Sequence, residues 1–449
     1  MSQLNFAGRA GGLSLLGLLV ASFAHGQGLG NSPYSRLGLG DANGNVGGVR
    51  QMSMGGVGVA APNSVNVNEL NPALLYYTAR TTFEAGYNAQ FKTLRNTVSS
   101  QRTGSANLGY LALAVPISRR WAGAVGLKPF SAVDYESNTV DPVQGAPGAQ
   151  VAKQYKGSGG LAEAYISQAI RIGKGLTVGG SAGYVFGNIE QRLGTLVSPG
   201  ISTPASELTN DVFLQDVHYS DFTFRAGAHY RGKVNDKVNF NVGGVYGFAS
   251  KLDGTRTTTF SREDLNGVTV SSSTLETDAR GRATVPGQAQ LGVSFDNNKN
   301  WSLNLDASRQ QWSKFRAFGE QGGSSGVPLS DTYRLGVGGE LTPDPTSVEN
   351  YFQRVTYRAG LSVAQLPYRP AGQTLYDRSV SWGFGLPLPN ATPLDATTIS
   401  LGFTYGQRGN TDARTLTDGT QERNVKESYI RMQLGVTLNN RWFIKRRIE

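Results

Sequence analysis

The 449-residue chain contains no cysteine. Without thiols it has neither a disulfide framework nor thiolate chemistry to offer. Histidine is almost as scarce, at three residues, and His25 falls in a leader segment. A dedicated transition-metal site is therefore not expected. Past the leader no window holds 18 uninterrupted apolar residues, so no membrane-spanning helix is expected either. The formal charge of +10 is scattered, with no basic run except Lys445-Arg446-Arg447, which argues against a nucleic-acid partner.

What is present begins with the leader. Arg9, the apolar run Leu13 to Phe23 and the small-residue site around Ala24-His25-Gly26 read as a secretory signal peptide over residues 1–26. No cysteine follows the cleavage point, so a lipid anchor is not expected. Behind it, apolar residues recur with period two, the signature of strands with one buried face. Ile430, Met432, Leu434, Val436 and Leu438 share one face, opposite Tyr429, Arg431, Gln433, Gly435 and Thr437. Trp301, Leu303, Leu305 and Ala307 likewise alternate with Ser302, Asn304, Asp306 and Ser308.

Fourteen such segments follow, beginning near Thr81, Gly104, Arg120, Leu161, Gly175, Val217, Lys237, Arg282, Asn300, Ser330, Gln353, Arg378, Ala396 and Lys426. Short and long connections alternate along them, the longest being 135–160, 189–216 and 253–281. A sandwich has no reason to keep every other connection short. A transmembrane barrel has one, because its periplasmic turns are tight and its outer loops long. The expected fold is all-β: a 14-stranded antiparallel transmembrane β-barrel over residues 81–443, with both termini in the periplasm. Trp121, Trp301 and Trp442 fall at periplasmic ends, where an aromatic girdle would meet outer-membrane lipid. An exported soluble β protein is the alternative.

Residues 27–80 are glycine-rich and lack a period. Gly56, Gly58 and Ala61 fit G-x-G-x-x-A, a spacing that cradles a dinucleotide where a strand precedes it and a helix follows. Here Pro62 and the run "NSVNVNELNP" follow, which disfavours a helix. The segment is read instead as an N-terminal lumenal plug, or hatch, and no cofactor is expected. Residues 444–449 are expected to hang into the periplasm as a basic tail.

These residues resemble a family. "GGVGVA" followed by Asn71-Pro72-Ala73 is similar to the hatch of the FadL/TodX family of outer-membrane channels, and "GLKPFSAVDYE" (126–136) resembles its kinked third strand. "WSLNLDASRQQWSKF" (301–315) resembles its paired-tryptophan strand. Unlike family members that end near a terminal aromatic, this chain runs on past Phe443. The resemblance implies a place in the cell outer membrane and uptake of hydrophobic small-molecule cargo such as long-chain fatty acids. Barrels of the same family also act as accessories in type IX secretion, so an accessory or shuttle subunit with a secretion-complex partner is the alternative function.

In the third strand, alternation puts Trp121, Val125, Leu127 and Val133 toward lipid and Ala122, Ala124, Gly126, Lys128 and Phe130 toward the lumen. A lysine facing mid-bilayer would cost roughly 2–4 kcal/mol. Pro129 removes a ladder hydrogen bond, and a bulge there would open the wall. The resemblance makes Lys128, Pro129 and Phe130 a lateral exit beside the hatch residues Asn71, Pro72 and Ala73. Lys128 would pair a fatty carboxylate, or else be a solvated lumen lysine; Asn71 would move on cargo binding, or only cap a turn. Asp216, His218, Ser220 and Asp221 lie close in sequence, but residues two apart on a strand cannot build a nucleophile, base and orienter by themselves. No enzyme is expected.

Overall fold

The computed structural model describes residues 32–440 except 37–38, 43–46, 144, 147, 199–207, 320–328, 390–395 and 416–420. The leader, Trp442, Phe443 and the basic tail lie outside the described residues.

The strands are β1 (Asp41–Ala42), β2 (Thr81–Arg95), β3 (Ser100–Pro116), β4 (Trp121–Pro142), β5 (Gln150–Arg171), β6 (Leu176–Ser198) and β7 (Asn210–Lys233). Next come β8 (Asn239–Gly247), β9 (Ser250–Glu263), β10 (Thr269–Val285), β11 (Gln288–Asp296), β12 (Trp301–Gln310), β13 (Thr332–Leu341) and β14 (Thr356–Gln365). The last are β15 (Tyr376–Pro387), β16 (Ala396–Arg408), the small hairpin β17 (Ala413–Thr415) and β18 (Gln421–Arg423), and β19 (Lys426–Asn440). Neighbours pair antiparallel, and β19 closes on β2 along its whole length. β8 and β9 are successive halves of one barrel strand along β7, as β10 and β11 are along β9 and β8. With β1, β17 and β18 set aside, the wall is a closed barrel of fourteen strands.

Alternation sorts the side chains. On β19, Ile430, Met432, Leu434 and Leu438 are exposed on the outside while Gln433 and Thr437 are buried within. Repeated around the barrel, this gives an apolar outer belt and a polar lumen, and closure of β19 on β2 removes the two free edges that an open sheet would leave in lipid.

The wall is not of even height. β11 to β16 run 9 to 13 residues, near the length that spans a bilayer, whereas β4 to β7 run 22 to 24. The segments 135–160, 189–216 and 253–281, expected as loops, are therefore largely strand. They continue the wall, and 189–216 and 253–281 are rich in Thr and Ser.

Irregularities in the tall strands fall at one level, about ten residues above the short turns, where a spanning strand ends. On β4, Pro129 pairs with Ala162 and Ser131 with Leu161, so Phe130 is an extra, bulged residue. Gly159 on β5 and Gly187 on β6 have positive φ (104° and 147°). The Phe248-Ala249 and Pro286-Gly287 breaks separate β8 from β9 and β10 from β11.

Above this level the tall strands enclose an apolar core of Leu39, Val133, Tyr135, Leu161, Val185, Val217, Leu252 and neighbours, joined by Phe315 and Phe318. Val133 is thus a correction: it was expected to face lipid, but the bulged residue shifts the alternation by one and buries it inside.

Candidate functional site: the hatch and the gap in the wall

Inside the barrel, residues 47–78 form the short helix α1 (Val49–Met52), a tight loop and a 3-10 turn over Pro72–Tyr77. The asparagine run makes this backbone. Asn63 Oδ1 accepts from the amides of Val65 and Asn66, Asn68 Oδ1 from Leu70 and Asn71, and Asn71 Oδ1 from Ala73 at 3.0 Å. These are turns closed by asparagine side chains. Asn71 also donates from Nδ2 to the Val59 carbonyl at 2.8 Å and to the Ala228 carbonyl of the wall at 3.2 Å. It caps a turn and joins hatch to barrel at once. Pro72 and Ala73 lie buried against β6, where a Cβ on Gly179 would come within 2.5 Å of the Ala73 nitrogen.

The glycine loop does cradle an anion, but the anion belongs to the barrel. The amides of Gly58 and Val59 donate to the Asp306 carboxylate at 2.6 and 2.9 Å. Arg334 donates to the carbonyls of Gly55 and Gly56, and the Gly55 amide donates to Ser381 Oγ at 2.6 Å. Replacing Asp306 with alanine leaves two buried amides without their charged acceptor, an expected loss of about 2–3 kcal/mol. Denaturant titration of the detergent-solubilised protein measures it.

Two buried charge groups tie hatch to wall. Arg50 of α1 meets Glu340 of β13 at 2.5 Å, and Glu340 meets Arg358 of β14 at 3.2 Å. On the opposite side, Lys128 lies 3.5 Å from Glu163 on β5 and 4.0 Å from the hatch residue Glu69, whose carboxylate also accepts from Tyr165. Lys128 faces the lumen, as expected, but it is buried and ion-paired. It is neither a solvated lysine nor a site left open for a cargo carboxylate.

Beside Lys128 the wall opens. The β3–β4 ladder ends at Leu111↔Leu127, and β4 continues through Pro129 and Phe130 paired only to β5 until β1 joins it. β1 sits in that space, Asp41 opposite Ala132 and Ala42 opposite Ser131. Its anchorage is strong. Arg408 of β16 pairs with Asp41 at 3.0 Å, Asp377 at 3.3 Å and Glu427 at 3.8 Å. Burial alone would raise the Asp41 carboxyl, but the Arg408 guanidinium outweighs it and holds the group below the usual carboxylate range. Ser32 donates to Glu427 at 2.5 Å and Tyr34 to the Val425 carbonyl at 2.5 Å. Two cavities of about 220 and 210 Å³ flank this latch and share Asp41, Arg334 and Arg408 in their linings, so the lumen above the hatch is charged.

The remaining expected residues fall apart from this site. Trp121 is exposed at a short-turn end, its Nε1 donating to Gln168 at 2.6 Å, and Trp301 is half-buried at another. His218 Nδ1 meets Asn188 Oδ1 at 2.6 Å, and His229 is buried against the Tyr77 hydroxyl at 3.2 Å. Asp306, Glu340, Arg50 and Arg408 were not singled out from the sequence. For Asp306, Glu340 and Arg408 the signal was there, charged residues on the inward phase of apolar-alternating strands; Arg50, on the short helix α1, carried no such signal.

A closed fourteen-stranded barrel stoppered by its own N-terminal segment is the fold of the FadL-type barrels. The chain is similar over 88% of its length to a Pseudomonas aeruginosa FadL homologue (16% identity, TM-score 0.56) and to the Pseudomonas putida toluene transporter TodX (16%, 0.54), covering 98% of each. It is similar over the same share to the monoaromatic hydrocarbon channel CymD, at 17% identity and a TM-score of 0.54, again covering 98% of that chain. At such identities the likeness shows the fold. The BamG family model matches residues 13–449, and the chain belongs to the BamG family. None of the curated proteins matches it.

Proposed function

We propose that this chain works as a self-sealed outer-membrane barrel, an accessory or shuttle subunit in protein secretion, and that its partner docks on the wall that rises beyond the bilayer. The observation that carries this reading is the pairing of β1 with β4 inside the gap, latched by Arg408. A conduit has to break that ladder, the Arg408 ion pairs and the hatch anchors on each passage. A docking subunit keeps them. The tall strands β4 to β7, with 22 to 24 residues each, offer such a partner a rigid surface.

One observation favours the second reading, uptake of hydrophobic compounds with sideways release at Pro129. β3 leaves β4 beyond Leu127, so withdrawal of residues 41 and 42 would open the lumen to lipid. A hydrophobic cargo would gain about 0.8 kcal/mol per methylene by entering the bilayer rather than water.

A disulfide separates the two. Ala42 and Ser131 face each other across an antiparallel ladder, a spacing a disulfide bridges, and the chain has no other cysteine to interfere. The oxidised Ala42→Cys/Ser131→Cys protein is expected to restore a deletion strain as fully as the reduced protein does. Loss of complementation on oxidation, together with loss of labelled fatty-acid or toluene uptake and recovery of both with reductant, would favour the conduit.

A further inference from the structure

The wall has a second break, which neither reading uses. The β7–β8 ladder stops at Arg225↔Gly247, with one more bond from the Phe248 amide to the Phe224 carbonyl at 3.0 Å. The β7–β9 ladder resumes only at Tyr219↔Gly254. Between them, Ser220 to Thr223 have no ladder partner on that side among the described residues. The next ladder is interrupted at the same height, between Gly247↔Gln288 and Ser250↔Val285.

Behind the break lies a cavity of about 90 Å³ lined on the lumen side by Leu39, Phe130, Val285 and Phe315 together with Arg225 and the hydrogen-bonded Glu163 and Thr223, and by Phe224 and Phe248. The last two are also 53% and 51% exposed on the outer face, so the cavity reaches through the wall. Tyr184, Phe186, Phe222 and Tyr246 surround it outside, with Tyr184 and Phe222 ring centroids 5.2 Å apart and Tyr246 and Phe248 5.1 Å apart. Aromatic residues concentrate where a barrel meets the membrane interface. Lys251 is exposed immediately above the break, on the side away from the short turns.

We propose that this break is a lipid site. One acyl chain of an anionic phospholipid enters between Phe224 and Phe248 and ends in the cavity behind, with its phosphate at Lys251. The surroundings favour that occupant: at this height, where the spanning part of the strands ends, the mouth meets the edge of the hydrocarbon, its rim is aromatic, and Lys251 stands outward above it next to the Asp253–Arg282 ion pair, while Asp221 in the break accepts from the Asp253 amide.

Native mass spectrometry of the purified protein, titrated with phosphatidylglycerol or phosphatidylcholine, tests the site. Gly247→Leu and Val285→Trp fill the cavity; a Cβ at Gly247 would meet nothing closer than 3.7 Å, so the first introduces no backbone clash. The unsubstituted protein is expected to hold one phosphatidylglycerol after the remaining lipid is stripped. Both filled forms should lose it, the outward Leu303→Ala should keep it, and Lys251→Ala should release phosphatidylglycerol several-fold more readily without changing phosphatidylcholine. Equal retention by folded filled and unfilled forms, no retained lipid in the unsubstituted protein, or the same Lys251→Ala effect on both lipids would overturn the proposal.

Discussion

Replacing Glu340 with glutamine is expected to destabilise the plugged barrel by about 3–5 kcal/mol, the cost of removing one partner from a buried ion pair. The side chains of Arg50 and Arg358 are 1% and 4% exposed, and both reach this one carboxylate. Glutamine keeps its shape and removes its charge. The two guanidiniums cannot lose their protons, so they are left facing each other in a dry lumen. Relief requires α1 to leave the wall or water to enter beneath it. Urea unfolding in micelles, followed by tryptophan fluorescence, reads the loss as a lower midpoint. The triple replacement Arg50→Met, Glu340→Leu and Arg358→Met should recover most of it, since well-packed apolar groups often replace a buried ion triad without loss. A Glu340→Gln midpoint that stayed at the parental value would mean that this contact does not hold the hatch.

The legibility of the fold follows from the solvent around it. Where strands cross lipid, every outward position must be apolar, so the period-two signal of Ile430 to Leu438 or Trp301 to Ala307 is strong and the strand number can be read. Toward their outer turn, past Leu252 and Ala283, both faces of β9 and β10 meet water or polar neighbours. The pattern "TVSSSTLETDARGRA" therefore has no greasy phase and looks like loop although it is strand. The hatch was legible through its glycines and asparagines, because turns demand those residues whatever lies around them. Its partners were not. Arg50 and Glu340 are 290 residues apart, and alternation shows that Glu340 points inward without showing what it meets. Val133 was misread because one bulged residue, Phe130, inverts everything after it, and a sequence marks the place of a bulge better than its length.

The tightest contact between hatch and wall gives the other large effect. Gly338 and Gly360 pair across β13 and β14, and residues 54 and 55 of the hatch lie flat on them. A Cβ on Gly360 would overlap the Met54 carbonyl carbon and the Gly55 amide, closer than any ordinary contact, and a Cβ on Gly338 would overlap the Met54 oxygen. Neither glycine has positive φ, so the strand itself would accept valine, and by β-propensity would favour it. Only the hatch forbids the change. Overpacking against side chains costs about 1–3 kcal/mol because they can rotate away. Here the obstacle is backbone, pinned on either side by Arg334, Ser381 and Asp306. Gly360→Val is therefore expected to fold as a barrel and expel its hatch. Trypsin should then cut at Arg50, which the seated hatch keeps buried, and conductance in planar bilayers should rise from a closed level to that of an open pore. If Arg50 stays protected and the barrel stays closed in that variant, the hatch yields to the wall, and a sealed barrel loses its strongest physical support.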